Sequence, residues 1–208
     1  MSDEGNLSIE PCLDAVAFLG ECPNYIPESN TVSFVDGIGL NGRQAGIFRY
    51  DLTSKKLDKR EVPNSMCTAA MPTDKKDVYV AGLGTKICKV PWSGDIVELA
   101  EVEKDREIPT RINDCKTDRK GRLWFGTMGS EWLEEEQTVA HGGQGSLYCA
   151  DLSTQTPTIT SYDSGFDIAN GMDWSLDNRT MFVADSGPKQ IYAYDYDETT
   201  GAISMFSL

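Results

Sequence analysis

Three oxygen-bearing side chains stand at matching points of a repeated sequence pattern: Glu21, Asn113 and Asn170. Each precedes an apolar, strand-like segment by about ten to twelve residues, the length of one strand and a turn. Carboxylate and amide oxygens suit a hard divalent cation. Singly, Glu21 is typical of a surface residue before Pro23, Asn113 of an Asx-turn, and Asn170-Gly171 of a hairpin turn. Their shared spacing favours a cation site on one axis.

The second group of candidates lies between Arg111 and Glu131. Arg111, Asn113 and Asp114 open a segment that is too short and too polar for a helix. A turn at residues 118–121 and an apolar strand follow, and Glu131 lies just beyond that strand. Because an antiparallel hairpin returns the chain to its starting edge, these polar groups are predicted to meet there.

The elements that must position these groups are short strands that recur roughly every 45 residues. They are Val32–Asp36, Val78–Ala81, Leu123–Gly126 and Met181–Asp185. Each follows a polar turn and precedes a second strand and a weaker one. This pattern predicts an all-β chain of four-stranded β-propeller blades. A β-sandwich is the alternative, but it would not repeat its sequence. The same counting gives Met66 as the equivalent position in the second repeat.

The interval before the last repeat is longer because residues 129–143 form an acidic insertion. We interpret this insertion either as a loop that covers one face, acting as a lid, or as a solvated excursion. It carries His141, the only histidine of the chain. A single histidine in such a segment favours a loop residue over a catalytic triad or a histidine-rich metal site.

The composition excludes several classes of protein. A net charge of −14 argues against nucleic acid or an anionic membrane as a partner. The excess of acidic residues favours solubility, or some of these carboxylates hold a cation. The amino terminus lacks the features of a signal peptide, and no apolar run reaches membrane-spanning length. Six cysteines without a CxxC pair indicate reduced thiols and a cytoplasmic protein rather than a zinc site.

Several segments together resemble the regucalcin family, which includes senescence marker protein-30, gluconolactonase and luciferin-regenerating enzyme. They are LGECP at 19–23, RIND at 111–114, GTM at 126–128, GSLY at 145–148, ANGMDWS at 169–175, YDYD at 194–197 and TG at 200–201. The resemblance runs from about residue 12 to the end. It implies a six-bladed β-propeller that binds one divalent metal ion (calcium, zinc, manganese or magnesium) and hydrolyses sugar lactones.

The resemblance also implies individual roles. Glu21 and Asn170 correspond to metal ligands, and Arg111, Asn113 and Glu131 to residues that hold the substrate. The third metal ligand of the family, an aspartate that is also its proposed general base, belongs to the fifth blade. Its place would lie beyond Leu208, the last residue of the sequence, so no catalytic residue is assigned.

The end of the sequence at Leu208 falls in what should be the last strand of the fourth repeat. We expect residues 1–208 to form one propeller domain that is incomplete at its carboxyl end. It would contain about four of six blades and come from a fragment or a short isoform, which the absence of the fifth-blade aspartate would leave inactive.

Two residues beside the implied site depart from the usual sequence of the family. Cys22 and Cys115 stand where the family usually has glycine, so a different backbone is expected there.

Two functions follow from the sequence. The first is a metal-dependent lactone hydrolase, whose cation polarises the lactone carbonyl and activates a water. The second is a non-enzymatic propeller that binds calcium or a partner. Four blades of a six-blade ring would leave Trp174, Phe182 and Tyr192 on an uncovered face of the last blade, which predicts self-association there.

Overall fold

The computed structural model describes residues 10–13, 17–37, 44–62, 66–133 and 137–205. Within them, seventeen β-strands form four antiparallel sheets, here called blades 1 to 4. The predicted all-β propeller architecture is confirmed. Blade 1 contains β1 (Gly20–Ile26), β2 (Thr31–Asp36), β3 (Gly46–Asp51) and β4 (Leu57–Glu61), with a 3-10 turn at Pro27–Ser29. Blade 2 contains β5 (Cys67–Pro72), β6 (Val78–Leu83), β7 (Lys86–Pro91) and β8 (Val97–Glu101).

Blade 3 has five strands and blade 4 has four. Blade 3 contains β9 (Thr110–Thr117), β10 (Leu123–Leu133), β11 (Gln137–His141), β12 (Gly145–Asp151) and β13 (Thr158–Phe166). Blade 4 contains β14 (Ala169–Trp174), β15 (Thr180–Asp185), β16 (Gln190–Tyr196) and β17 (Ile203–Met205). Strands that are adjacent in the sequence pair within each blade, apart from β12, which pairs with β10 across the β11 hairpin.

The last described strand, β17, ends at Met205. Leu208, where the sequence was expected to stop within the fourth blade, lies outside the described residues. The expectation of a propeller that is incomplete at Leu208 therefore stays a prediction.

The described part of the acidic insertion consists of two paired β-strands, so its interpretation as a loop is wrong there, whereas residues 134–136 lie outside the described residues. β10 pairs with β12 over Leu123–Gly126, continues past the edge of the blade, and pairs with β11 from Gly129 to Leu133. Trp132, Thr138 and Val139, which flank the glutamates, are residue types that favour the strand conformation. His141 lies at the end of β11, opposite Gly129.

The first strands of the blades lie together at the centre of the molecule. β1 contacts β5, β5 contacts β9, and β9 contacts β14. Packing between them is close enough to require glycine at two points. A Cβ on Gly82 would lie 2.6 Å from Cγ2 of Ile112, and one on Gly126 would lie 2.5 Å from Cβ of Ala169. Blades 2 and 3 therefore each bring their second strand directly against the first strand of the next blade.

The apolar core is divided among the spaces between successive blades. One cluster, which includes Val35, Ile47 and Tyr79, joins blades 1 and 2. A second cluster joins blades 2 and 3 and a third joins blades 3 and 4. In the described part of the chain, no helix has the length and apolar character needed to cross a membrane.

Candidate functional site

Two buried aspartates fix the entry to the first strand of blades 1 and 4. Asp36, at the end of β2, accepts hydrogen bonds from the backbone N–H groups of Phe18 (3.2 Å) and Leu19 (3.0 Å). Asp185, at the end of β15, accepts them from the residues at 167 (3.0 Å) and 168 (2.9 Å). These hydrogen bonds hold the backbone just before Glu21 and Asn170, and they therefore fix the positions of these two candidate ligands.

A β-bulge lies at the same level of all four first strands. The register shifts after Glu21 in β1, between Cys67 and Ala69 in β5, between Ile112 and Asp114 in β9, and after Ala169 in β14. A bulge places two residues opposite one and re-aims the side chains next to it. Bulges of this kind are common beside active sites, and here they coincide with the residues selected from the sequence.

The strand pairing shows that Met66 is not the residue of blade 2 that is equivalent to Asn113. Met66 precedes β5, whereas Thr68 is the residue that the bulge of blade 2 leaves without a pairing partner, as Asn113 is in blade 3. Thr68 is buried, and its hydroxyl donates to the carbonyl oxygen of Ile112 at 2.6 Å. Blade 2 therefore contributes at this position a hydroxyl that joins two blades, in place of a carboxylate or amide ligand.

Arg111 is a buried cation at the centre, with 8% of its surface exposed. A terminal guanidinium nitrogen donates to Oδ1 of Asn113 (2.8 Å) and to the carbonyl oxygen of Ile112 (3.2 Å). Its Nε is buried and has no hydrogen-bond partner among the described residues. Burial lowers the pKa of Arg111 to about 10, while the Glu21 carboxylate acts to raise it. The side chain is therefore still a cation at neutral pH, with donor capacity left over.

Asn113 connects Arg111 to blade 4. Its Oδ1 accepts from Arg111, and its Nδ2 donates to the carbonyl oxygen of Ala169 at 3.1 Å. Asn170 follows directly, where its Nδ2 donates to Oγ of Ser186 (3.0 Å) and its Oδ1 accepts from the N–H of Gly171 (3.0 Å). The structure thus brings Arg111, Asn113 and Asn170 to one region at the boundary of blades 3 and 4.

Glu21 faces the same region from blade 1. Its carboxylate acts to raise the pKa of Arg111 and also that of Asp114. Burial is the larger cause of the raised pKa of Asp114, whose Oδ1 accepts a hydrogen bond from the N–H of Cys115 at 2.8 Å. Asp114 is a further acidic group near Glu21, and it was given no role from the sequence.

The remaining predicted residue, Glu131, lies on β10 beyond the edge of the blade, where its backbone pairs opposite Val139. Its side chain is outside what the structure describes, so the role of Glu131 stays a prediction. The aspartate base of the family, expected beyond Leu208, is likewise untested, since the described residues end at position 205. No catalytic residue is assigned within the chain.

Cys22 and Cys115 occupy the centre beside these groups. Cys22 has a φ of 52°, in the left-handed region that favours glycine, which accounts for the glycine usual in the resembling family. Its Sγ lies 3.5 Å from the carbonyl oxygen of Ala70 and 4.0 Å from that of Cys115. The pKa of Cys22 is lowered chiefly by a hydrogen bond with the Cys115 thiol, and that of Cys115 is raised well above its ordinary value. The different backbone expected beside Cys22 and Cys115 stays a prediction.

The oxygen groups at the centre fit a hard cation only in part. Glu21 supplies a charged oxygen, and Oδ1 of Asn170 has one further lone pair beyond its bond to Gly171. About six to eight oxygens surround Ca²⁺, so these two would leave most positions to water. In the described ranges, no three His, Cys, Asp or Glu side chains are arranged to hold a metal ion. The donor chemistry suits calcium or magnesium, and the set is incomplete.

Comparison with known proteins identifies the family. The model of the SMP-30/Gluconolactonase/LRE-like region matches residues 19–207. The chain belongs to the SMP-30/gluconolactonase/LRE-like family. This confirms the family predicted from its sequence segments.

Members of this family resemble the chain over nearly its whole length. Regucalcin from Sus scrofa is 33% identical over 200 residues, 96% of this chain and 62% of the relative. Regucalcin from Gallus gallus is 35% identical over 188 residues, 89% of this chain and 58% of the relative. The structure of a luciferin-regenerating enzyme is 28% identical with a TM-score of 0.77, covering 90% of this chain and 59% of that one. The chain therefore spans about three fifths of the length of these relatives.

Proposed function

We propose that this chain serves the metal-dependent hydrolysis of sugar lactones, with the lactone held beside Arg111 and Asn113 at the centre of the propeller. The observation that most supports this function is a chain of hydrogen bonds from Arg111 through Asn113 to the carbonyl oxygen of Ala169. The Glu21 carboxylate lies close to the Arg111 guanidinium. The chain belongs to a family whose name includes gluconolactonase.

Arg111 supplies the donors for the lactone. Its guanidinium is charged and largely shielded from water, and its buried Nε has no hydrogen-bond partner among the described residues. Lactone carbonyl and hydroxyl oxygens accept hydrogen bonds, and a desolvated, charged donor makes strong ones. Because Asn113 both accepts from Arg111 and donates to Ala169, its amide is held in one orientation. Fixed polar groups of this kind reject analogues that lack the matching hydroxyl. We assign Glu131 to another hydroxyl.

Glu21 and Asn170 are the groups that we propose hold the divalent cation. When bound, a cation of this type polarises a carbonyl oxygen and lowers the pKa of a coordinated water. Two protein oxygens give weak binding, because they offset little of the cost of dehydrating a hard cation. Glu21 is the charged member of this pair, so Glu21→Gln should abolish binding.

The test is hydrolysis of a gluconolactone by chelator-treated protein to which Ca²⁺, Zn²⁺, Mn²⁺ or Mg²⁺ is returned. Arg111→Lys keeps the charge but loses the planar, forked donor, and we expect it to lower kcat/KM by about tenfold or more, the equivalent of one charged hydrogen bond. Arg119→Ala, on an exposed turn, is the matched control and should leave the rate unchanged. Equal rates for Arg111→Lys and the control would refute the assignment of Arg111.

A non-enzymatic role is the second candidate. It is favoured because, among the described residues, no three His, Cys, Asp or Glu side chains are arranged to hold a metal ion. Isothermal calorimetry distinguishes the two functions. Binding of cation or lactone without any metal-dependent turnover identifies a binding module, whereas turnover that the chelator removes identifies the hydrolase.

A further inference from the structure

The centre of the propeller also brings two thiols together from different blades. Cys22 lies on β1 and Cys115 on β9. The Sγ of Cys22 lies 4.0 Å from the carbonyl oxygen of Cys115, and the Cys115 thiol is close enough to lower the pKa of the Cys22 thiol. A disulfide needs two Cα atoms within about 7 Å of each other, and the contact between the Cys22 thiol and the backbone of Cys115 is compatible with that range.

The two thiols differ in their access to solvent. Cys22 is half-buried, whereas Cys115 is 4% exposed. A small oxidant entering at the centre therefore meets Cys22 first, with Cys115 directly behind it. Cys67, a third thiol in this part of the molecule, is fully buried. The arrangement resembles that of an attacking thiol backed by a resolving thiol.

We propose that Cys22 and Cys115 are a modification site: a dithiol that a peroxide converts into a reversible disulfide joining blade 1 to blade 3. The Cys22 thiol attacks one oxygen of hydrogen peroxide, which gives a sulfenic acid and releases one water. The Cys115 thiol then displaces the hydroxyl from that sulfur, forming the S–S bond and releasing a second water. The two sulfurs together lose two electrons, and the peroxide O–O bond is reduced by them. A small dithiol reduces this disulfide to the two thiols and is itself oxidised to a disulfide.

The disulfide would tie two strands that carry other groups of the centre, since Glu21 precedes Cys22 and Asn113 lies two residues before Cys115. Its formation does not depend on the proposed lactone chemistry. Oxidation should raise the melting temperature, because a cross-link between distant residues restricts the unfolded chain. Cys115→Ser should abolish this rise.

Peptide mapping tests the proposal. Reduced protein carrying Cys12→Ser, which removes an exposed thiol, is treated with hydrogen peroxide and digested without reductant. The cross-linked peptides of Cys22 and Cys115 should be the main product. Cys115→Ser keeps a small polar side chain but cannot close the bond, so Cys22 should stop at a sulfenic acid that dimedone traps. Cys149→Ser, another buried thiol of blade 3, is the matched control and should leave the cross-link intact.

Oxidation in urea shows whether the fold is responsible. In an unfolded chain, closing the loop from 22 to 115 is about tenfold less probable than closing that from 67 to 88. The ratio of these two cross-links should therefore reverse between the folded and the unfolded protein. The proposal is overturned if folded protein links Cys22 mainly to Cys67, if Cys22 is alkylated by dimedone equally with and without Cys115, or if the ratio is the same in urea.

Discussion

Blades 3 and 4 have equivalent strands but differ in what covers them. Trp124 and Leu147 of blade 3 are fully buried against blade 4. The strand pairing places Phe182 and Ile191 at the same positions of blade 4, where they are 40% and 72% exposed. Both pairs are large and apolar, so the residue type does not determine burial. What decides it is whether a further sheet packs on that face.

The residues on the uncovered face differ from those that the sequence predicts. Of Trp174, Phe182 and Tyr192, only Phe182 is on it. Trp174 packs edge-on to Trp124 with ring centroids 6.4 Å apart, and Tyr192 packs on Phe166 at 5.4 Å. Both therefore point toward blade 3, and the sequence assignment of these two is wrong. Strand alternation explains the error, because a shift of one residue reverses the face.

The strongest effect that we expect concerns association through this uncovered face. An exposed apolar patch of this kind favours binding to a second molecule, so the 208-residue chain should associate with rising concentration. Ile191→Lys should shift sedimentation toward the monomer. Leu176→Lys is the control, because Leu176 is 99% exposed but lies in the turn before β15. A wild-type chain that sediments as a monomer at all concentrations would contradict the prediction.

The next effect concerns a carboxylate at the boundary of blades 3 and 4. Asp118 is buried and accepts hydrogen bonds from Nε of Arg122 (2.6 Å), the hydroxyl of Tyr196 (2.9 Å) and Nε1 of Trp124 (3.2 Å). Asp118→Asn should lower the free energy of unfolding by about 3 kcal/mol or more, because it leaves a half-buried arginine without its counter-charge. Urea unfolding measures this.

Asp173→Asn is the comparison for Asp118 within the same boundary. Asp173 pairs with Lys116 at 2.7 Å, and both side chains are exposed, so the loss of this ion pair should cost at most about 1 kcal/mol of stability.

The dependence of stability on acid pH also distinguishes Asp118 from its asparagine variant. Burial would raise the pKa of Asp118, but hydrogen bonds from Arg122, Tyr196 and Trp124 outweigh it and hold that pKa below its usual value. This stabilisation is present above the ordinary pKa of about 4 and is lost as the pH falls through the lower, folded value. Asp118→Asn should lack that loss.

A matched truncation tests the comparison of blades directly. Leu147→Ala should lower the free energy of unfolding by about 2–5 kcal/mol, since it opens a cavity between two blades. Ile191→Ala removes a similar side chain from the equivalent position, but at a dilution where the chain is monomeric it should cost no more than about 0.5 kcal/mol, because water already reaches that residue. Denaturant melts of both variants should differ accordingly. Similar losses in the two would mean that blade 4 is covered in solution.

The weakest effect comes from adding one methyl group. Gly126→Ala would press on Ala169, and we expect it to cost about 1–3 kcal/mol in thermal or urea unfolding. The equivalent residue of blade 4 is already alanine, Ala184, which no described blade follows. Gly171→Ala is the control, because its Cβ would meet no atom within 4 Å, and it should change stability by less than about 0.5 kcal/mol. Equal effects of the two substitutions would show that the blades can separate.

Local features of the sequence were enough to predict the blades. Turn residues recur before each apolar strand, and Gly121 adopts the positive φ of 81° that its turn requires. Strand and turn signals depend on neighbouring residues, so they can be recognised without the fold. The insertion shows the limit of this approach. Its acidic composition indicated a loop, but β10 continues through Glu131 to Leu133 because pairing with β11 outweighs the low strand propensity of this glutamate.

Repeat spacing alone was enough to assign Glu21, Asn113 and Asn170 to a common place in the blades. Which groups touch could be learned only from the packed molecule. The hydrogen bond from Asn113 to blade 4 joins residues 56 positions apart, and the contact of the Cys22 thiol with Cys115 joins residues 93 apart. Thr68 rather than Met66 matches them, because the strand pairing aligns Thr68 with Asn113, whereas counting back from the next strand admits both residues. Contacts between blades depend on packing, which no local pattern encodes.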